Sequence, residues 1–355
     1  MSEDPELTGP PPDLSVVVNT YNRRDELRSC IDSLLAQETS ASFEIIVVDD
    51  ASTDGTAEML EGLAVTTLRA PTNQGLALGR NRGAEAARAA IIAFLDDDEL
   101  VGPAWVDQVL ASWAVADPAT VIICTYPSPV PGKSFNRRYL CWQNPLVPIP
   151  LLPPGGVSLV ERLRRYRQRV NNALMMGSRI GYAPGGSITI RTAAFRAIDG
   201  YQRQNFAAGE DDYFCEAIRA AFGDECIAFN PQIDLFHNFK PGFRDSMERN
   251  FRYGKGHGEL FRHAGAAPVV QPLPAILIPL GVASALLVGW WAIPIVLAVP
   301  YLLTLPHLLR SARSVGPIIV VFPAVMAMLE FFDWAGFAAA LLPGRSPQHP
   351  AAGPS

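Results

Sequence analysis

The sequence predicts an α/β protein: a doubly wound, mostly parallel sheet followed by C-terminal transmembrane helices. Three observations carry that expectation. Short apolar, β-branched runs alternate with helical segments through the first hundred residues, the pattern of a parallel sheet covered by helices. Those runs end in polar clusters, where open α/β sheets bind their ligands. Charge then stops: of 29 basic and 35 acidic residues, only Arg310, Arg313, Glu330, Asp333 and Arg345 follow His263. The first 263 residues read as water-soluble and the remainder as water-avoiding. A 49% hydrophobic content excludes intrinsic disorder. The acidic balance, net charge −6, argues against a general nucleic-acid binder.

The elements follow in order. Residues 1–13 are acidic and Pro-rich, without the basic and apolar regions of a signal peptide, and are expected to be disordered. Leu14 to Val18 reads as a buried strand. Asn22 is a candidate N-cap, with Asp25 and Glu26 in the first turn of a helix carrying Leu27, Cys30, Ile31, Leu34 and Leu35. Phe43 to Val48 is a second strand, ending in Asp49-Asp50. Thr53 or Asp54 caps a short helix, and Val65 to Arg69 is a weak third strand. Asn81 to Ala90 is helical, and Ile91 to Leu95 is a strand running into Asp96-Asp97-Asp98-Glu99. Pro127 to Gly156, rich in proline, reads as loop. Leu159 to Val170 is an arginine-rich helix, either a solvated face or a contact for anionic head groups. Ser187 to Ile190 is a strand, Gly209 to Ala221 a helix opened by three acids, and His237 follows two short β-like runs. The five cysteines contain no CxxC pair and read as buried thiols.

From His263 to Leu309 no Asp, Glu, Lys or Arg occurs. One bilayer crossing takes about 20 residues, so the run is long enough for two short helices. Helices are expected at about 273–290, 291–308 and 316–341, within a membrane region over 264–342 and ahead of a disordered tail, 343–355. A hairpin over the first two returns the chain to the side carrying Arg310 and Arg313, the cytoplasmic side by the positive-inside rule. Glu330 and Asp333 are expensive at mid-span. They either face other helices or mark a helix lying in the interface.

The acidic run at the end of the fourth strand is the sharpest feature. Three consecutive aspartates repel unless a cation or donors offset them. Mg²⁺ and Mn²⁺ accept carboxylates and bring phosphates with them. Glu210-Asp211-Asp212 reads either as helix-dipole complementarity or as a general base with a raised pKa. His237 is a structural histidine or a metal or phosphate contact.

The motifs in sequence resemble glycosyltransferase family 2, of the GT-A nucleotide-diphospho-sugar transferase fold. The residues are Val16 to Arg23, Glu44 to Thr56, Asn73-Gln74-Gly75, Gly79 to Gly83, Phe94 to Asp98, Gly185-Gly186-Ser187 with Arg191, and Glu210-Asp211 with Arg219. Phe94 to Asp98 looks like the family's DxD motif. The match spans about Leu14 to His263, so the catalytic domain is expected over 14–263. The resemblance implies that Asn19, Tyr21, Asp49, Asp50, Asp96 and Arg252 hold the donor. It implies that Asp98 and His237 meet a divalent cation, Mn²⁺ or Mg²⁺. Asp211 would be the catalytic base, with Glu210 beside it, although Asp212 leaves the choice of base open. Lys255 and His257 join Arg252 near the leaving phosphates. Ser187 departs from the usual residue after the glycines, and no QxxRW motif of processive synthases occurs.

The expected function is therefore an inverting, metal-assisted transfer of a hexose or related sugar to a hydroxyl acceptor. The acceptor would be a lipid-linked or cell-envelope glycan, and the enzyme a multi-pass protein with its catalytic domain on the cytoplasmic face. Transfer to polyprenyl phosphate and a catalytically silent membrane scaffold are the alternatives. An NAD-type Rossmann enzyme is set aside because no GxGxxG follows Val18.

Overall fold

The computed structural model describes residues 9–147, 149–150, 164, 166–168, 180–202, 209–264, 273–290 and 293–342. Of the expected disordered segments, residues 1–8 of 1–13 and the tail 343–355 lie outside them. So does most of the arginine-rich segment, of which Arg164 and Tyr166 to Gln168 are helical.

β1 (Leu14–Thr20), β2 (Phe43–Asp49), β3 (Thr66–Arg69) and β4 (Ile91–Asp96) pair in parallel, in the spatial order β4, β1, β2, β3. β1 is followed by α1 (Arg24–Leu35), β2 by α2 (Thr56–Leu60) and β3 by α3 (Leu76–Ala86), so helices make the crossovers. β4 leads through β5 (Glu99–Val101) to α4 (Trp105–Ala114) and β6 (Ile122–Cys124). After β7 (Ser128–Pro129), α5 (Phe135–Trp142), β8 (Ile149–Pro150) and β9 (Ile180–Tyr182), β10 (Ile188–Arg191) enters the sheet antiparallel between β4 and β6. α6 (Thr192–Ala197), α7 (Glu210–Phe222) and β11 (Ile227–Phe229) follow, and β11 closes the seven-stranded order on β6. The expected mostly parallel, doubly wound sheet is present.

Period-two alternation divides the core between the two sheet faces. Val17, Ile46, Val48, Ile92 and Phe94 pack on one side, and Val16, Val18, Ile45, Val47 and Leu95 on the other. A second small sheet orders β5, β12 (Leu235–His237) and β7, and its register sets His237 opposite Glu99. Non-local pairing thus delivers the histidine to the acidic run.

Several local expectations are corrected. Asn22 has φ 53° and does not cap α1; its Oδ1 accepts from the Thr53 amide, and Asp54 Oδ2 accepts from the Arg24 amide. α3 starts earlier than Asn81 and ends at Ala86, where Ala87 turns extended. The Pro-rich stretch contains α5, capped by Ser134 Oγ accepting from the Arg137 amide. Its Tyr139, Leu140 and Trp142 enter a third core with Phe239, Phe322, Met326 and Leu329.

The C-terminal helices are α8 (Phe243–Ala264), α9 (Leu273–Ala283), α10 (Ile293–Leu297), α11 (Val299–Val315) and α12 (Phe322–Leu341). Among the described residues two apolar segments are long enough to cross a bilayer, Ile293–Val315 and Pro317–Leu341; Leu273–Val288 is shorter. The second expected helix thus extends past residue 308 and takes in Arg310 and Arg313. α12 lies directly on α8. A Cβ on Gly254 would fall 1.7 Å from Asp333 O, and one on Gly336 would fall 1.9 Å from Phe251 O. Glycine at both positions lets the backbones touch. The mid-helix acids face protein: Glu330 accepts from the Leu273 amide at 3.1 Å and from the Tyr166 hydroxyl, and Asp333 meets His257.

Candidate active site

A cleft of about 900 Å³ opens along the carboxyl ends of β1 and β4 and is closed by the start of α7 and by α8. Asn19, Tyr21, Asp96, Asp98, Glu210, Asp211, His237 and Arg252 all line it. Asp49 and Asp50 do not. Asp49 accepts from the Ser52 amide and lies 3.6 Å from Arg69; Asp50 accepts from the Gln74 and Gly75 amides, both at 2.8 Å. They hold the loops forming the cleft wall rather than the cleft surface.

Arg80, on α3, organises the centre. It is 2% exposed, and its Nη1 donates to Asp211 Oδ1 at 2.8 Å while its Nη2 donates to Asp96 Oδ1 at 2.9 Å. Its guanidinium lies 5.2 Å from the centroid of the Tyr201 ring. One buried cation thus ties the acid ending β4 to an acid opening α7, 131 positions apart in sequence. Asp211 Oδ2 also accepts from the Gly185 amide at 2.8 Å. A Cβ on Gly185 would fall 2.2 Å from Asp211 Oδ1 and 2.3 Å from Arg80 Nη1, so the Gly185-Gly186 pair lets the backbone reach both. Burial pushes the Asp211 pKa up to about 8 against the pull of Arg80, with Glu210 and Asp96 adding to the rise. Asp212 is pushed up to about 7 by burial, against His257.

Arg23 organises the acidic run that follows β4. Its Nη1 pairs with Asp97 Oδ1 at 2.8 Å and its Nη2 with Asp98 Oδ2 at 2.7 Å. Burial pushes Asp97 up to about 7, against Arg23. Burial also acts to raise Asp98, but His237 and Arg23 outweigh it and hold its carboxyl below the usual range. Asp98 Oδ1 lies 3.4 Å from His237 Nε2, and the imidazole stacks on Phe239 with centroids 3.9 Å apart. Burial lowers the His237 pKa, so neutral imidazole dominates at neutral pH.

No group of three or more His, Cys, Asp or Glu suited to a cation occurs among the described residues. The Asp98–His237 pair nevertheless fits a hard cation. Such ions take one or two carboxylates from the protein and complete their shell with substrate phosphates and water.

The family model described as glycosyl transferase family 2 matches residues 15–197. The chain belongs to this glycosyltransferase family. An uncharacterized family glycosyltransferase of Haemophilus influenzae is 41% identical over 98 residues, covering 27% of this chain and 33% of the relative. The pre-mycofactocin glycosyltransferase of Mycobacterium tuberculosis is 24% identical over 286 residues, covering 78% of this chain and 52% of the relative. The chain thus spans about a quarter to a half of the length of the curated relatives it matches. Among solved structures, the mannosyltransferase PcManGT of Pyrobaculum calidifontis, in complex with GDP-Man and Mn²⁺, superposes with a TM-score of 0.54 at 18% identity, covering 93% of this chain and 87% of that one. The fold is GT-A.

The sequence motifs include Arg23 and Arg80 but give neither a role. The signal available was charge: the run Asp96-Asp97-Asp98-Glu99 has no basic neighbour in sequence to offset it. Asp333 was read only as a membrane residue, yet it lines the cleft 3.5 Å from His257.

Proposed function

We propose that the protein transfers a sugar from a nucleotide-diphospho-sugar to a hydroxyl of a lipid-linked or cell-envelope glycan, with inversion, in one metal-assisted displacement. The observation carrying this reading is the Arg80 clamp. It faces an acid of the donor-side run towards the acid of α7 within one cleft. A single displacement needs a leaving group stabilised on one side of the sugar carbon and a base on the other.

Asn19, Tyr21 and Asp96 bind the nucleoside and ribose from the ends of β1 and β4. Asp49 and Asp50 support them by holding the Ser52 and Gln74-Gly75 amides. Asp98 and His237 would hold Mn²⁺ or Mg²⁺, which supplies charge stabilisation to the departing diphosphate. Arg252 adds a positive charge on α8. Asp211 takes the acceptor proton on its exposed edge, and Gly185 and Arg80 fix its carboxylate in orientation. Glu210 helps seat the acceptor.

The membrane part of the proposal rests on the apolar surface of the C-terminal helices. Leu287 is 83% and Trp290 75% exposed, as are many aliphatic neighbours. We assign the catalytic domain to 14–263 and the membrane region to 264–342. Arg310 and Arg313, in the last turns of α11, favour a cytoplasmic catalytic face. The acceptor reading follows from Asp333, where the apolar helices reach the cleft.

The test is a panel of sugar nucleotides with Mn²⁺ or Mg²⁺, following donor breakdown by the purified protein with Asp98→Ala as control. Metal-dependent breakdown lost in Asp98→Ala supports the reading. Turnover indifferent to Asp98→Ala removes the metal assignment, and no turnover with any donor removes the transferase reading. Transfer to a polyprenyl phosphate that survives Asp211→Asn would identify a phosphate acceptor, which needs no base.

A further inference from the structure

Three cations of the cleft have carboxylate partners. Arg23 bridges Asp97 and Asp98, Arg80 bridges Asp96 and Asp211, and Lys255 lies 3.8 Å from Glu259. Arg249 is different. It lines the cleft from α8, one turn before Arg252. Among the described residues it forms no ion pair. Its Nη2 reaches Ser246 Oγ at 3.3 Å, and its Nε is buried without a hydrogen-bond partner.

Its position is held from one side. The guanidinium lies 4.6 Å from the centroid of Phe239, the same ring on which His237 stacks. The Asp98 carboxylate is the next group beyond His237. Phe239 therefore sets a cation beside the Asp98–His237 pair and keeps its plane fixed. Burial draws the Arg249 pKa below its usual value, with no carboxylate bonded to it in return. A buried cation left so costs free energy unless an anion meets it. A planar fork of donors suits phosphate oxygens, which it can hold through two parallel bonds.

We propose that Arg249 is an anion receptor of this cleft, taking phosphate oxygens of a nucleoside diphosphate beside the Asp98–His237 pair. The inference rests on the proposed use of a nucleotide-diphospho-sugar and adds a residue to it. Arg252 flanks the same ligand from an exposed position one turn away. The two arginines then hold a diphosphate from the α8 wall while Asp98 and His237 face it from the β4 and β12 side.

The test is isothermal titration of the full chain in detergent with Mn²⁺, using inorganic pyrophosphate, UDP, GDP, uridine, guanosine and farnesyl phosphate. Arg249→Gln should weaken pyrophosphate, and whichever of UDP or GDP the wild type binds, about tenfold or more. Binding of the matching nucleoside should be unchanged, because it offers no phosphate. Arg249→Lys should weaken the diphosphates about threefold, since a point charge replaces a two-pronged donor. It also keeps the measurement decisive if Arg249→Gln does not fold. Wild-type affinity for the diphosphates in both variants overturns the inference alone. Equal losses for nucleoside and diphosphate overturn it in favour of simple wall packing, and a loss confined to farnesyl phosphate overturns the assignment to the donor. A wild type that binds nothing in the panel removes the nucleotide-sugar reading and the inference together.

Discussion

The sheet domain and the C-terminal helices are built with opposite polarity. In the sheet domain Val16, Val18, Ile92 and Phe94 are sealed inside and charge gathers at the strand ends. In the helices Leu286 and Leu287 face outward, while Glu330 and Asp333 are only 6% and 5% exposed. The difference bears on the proposed membrane contact. Apolar side chains outside and acids inside suit a hydrocarbon surrounding, because charge is tolerated there only against protein. The two regions are nonetheless joined, since α12 seats its backbone on α8 and brings Asp333 into the cleft.

The largest test of this contrast removes the charge with a chemical role. Asp211→Asn should lower the transfer rate about 10²–10⁴-fold with donor binding retained, measured as kcat against donor Kd. The same substitution at Asp333 should cost far less, because among the described residues the ion-pair partner of Asp333 is His257 alone. Equal effects would erase the distinction between reacting and supporting acids. Next in size is the join itself. Gly336→Val forces a side chain into Phe251 O and should destabilise the fold by about 3 kcal/mol, read as a fall in thermal midpoint in detergent. An unchanged midpoint would mean that the helices hang from the sheet domain without docking on it.

A pH profile sharpens the electrostatics of the sheet side. A base must be deprotonated, and burial places Asp211 at about 8, so the rate should rise with pH towards that value. Arg80 pulls that value down. Arg80→Gln should therefore move the acidic limb upward, by about 1–3 pH units, and a limb that stays put would deny Asp211 the role of base. The smallest expected effect lies on the outer face. The double change Leu286→Lys, Leu287→Lys should alter stability by about 0.5 kcal/mol or less while reducing sedimentation with neutral vesicles. Unaltered vesicle binding would take that face out of contact with lipid.

Much of the sheet was legible because its signals are local. β1, β2 and β4 are apolar runs whose side chains are buried on both faces, and each ends in a polar cluster. α5 was hidden within a Pro-rich stretch: Asn136, Tyr139 and Leu140 follow helical spacing, but over a helix of only 8 residues that relies on the Ser134 cap and on packing against Phe322. The acids of the site were legible as acids. Their partners were not: Arg80 and Asp211 meet across 131 positions, and no spacing rule encodes such a pair. Asp50 illustrates the converse. Its motif was visible, but only the fold shows its carboxylate turned to the Gln74 and Gly75 amides.

By itself, the sequence determined the alternation that makes a GT-A sheet, the acids at its strand ends and the point where charge stops. These are set by hydrophobic periodicity and by the cost of charge away from water, both of which act residue by residue. The tertiary structure alone decided which cations those acids meet, that Arg249 meets none of them among the described residues, and that a helix from the apolar end forms part of the cleft. Ion pairing and close backbone approach depend on where distant segments come to lie, and that position is a property of the packed chain.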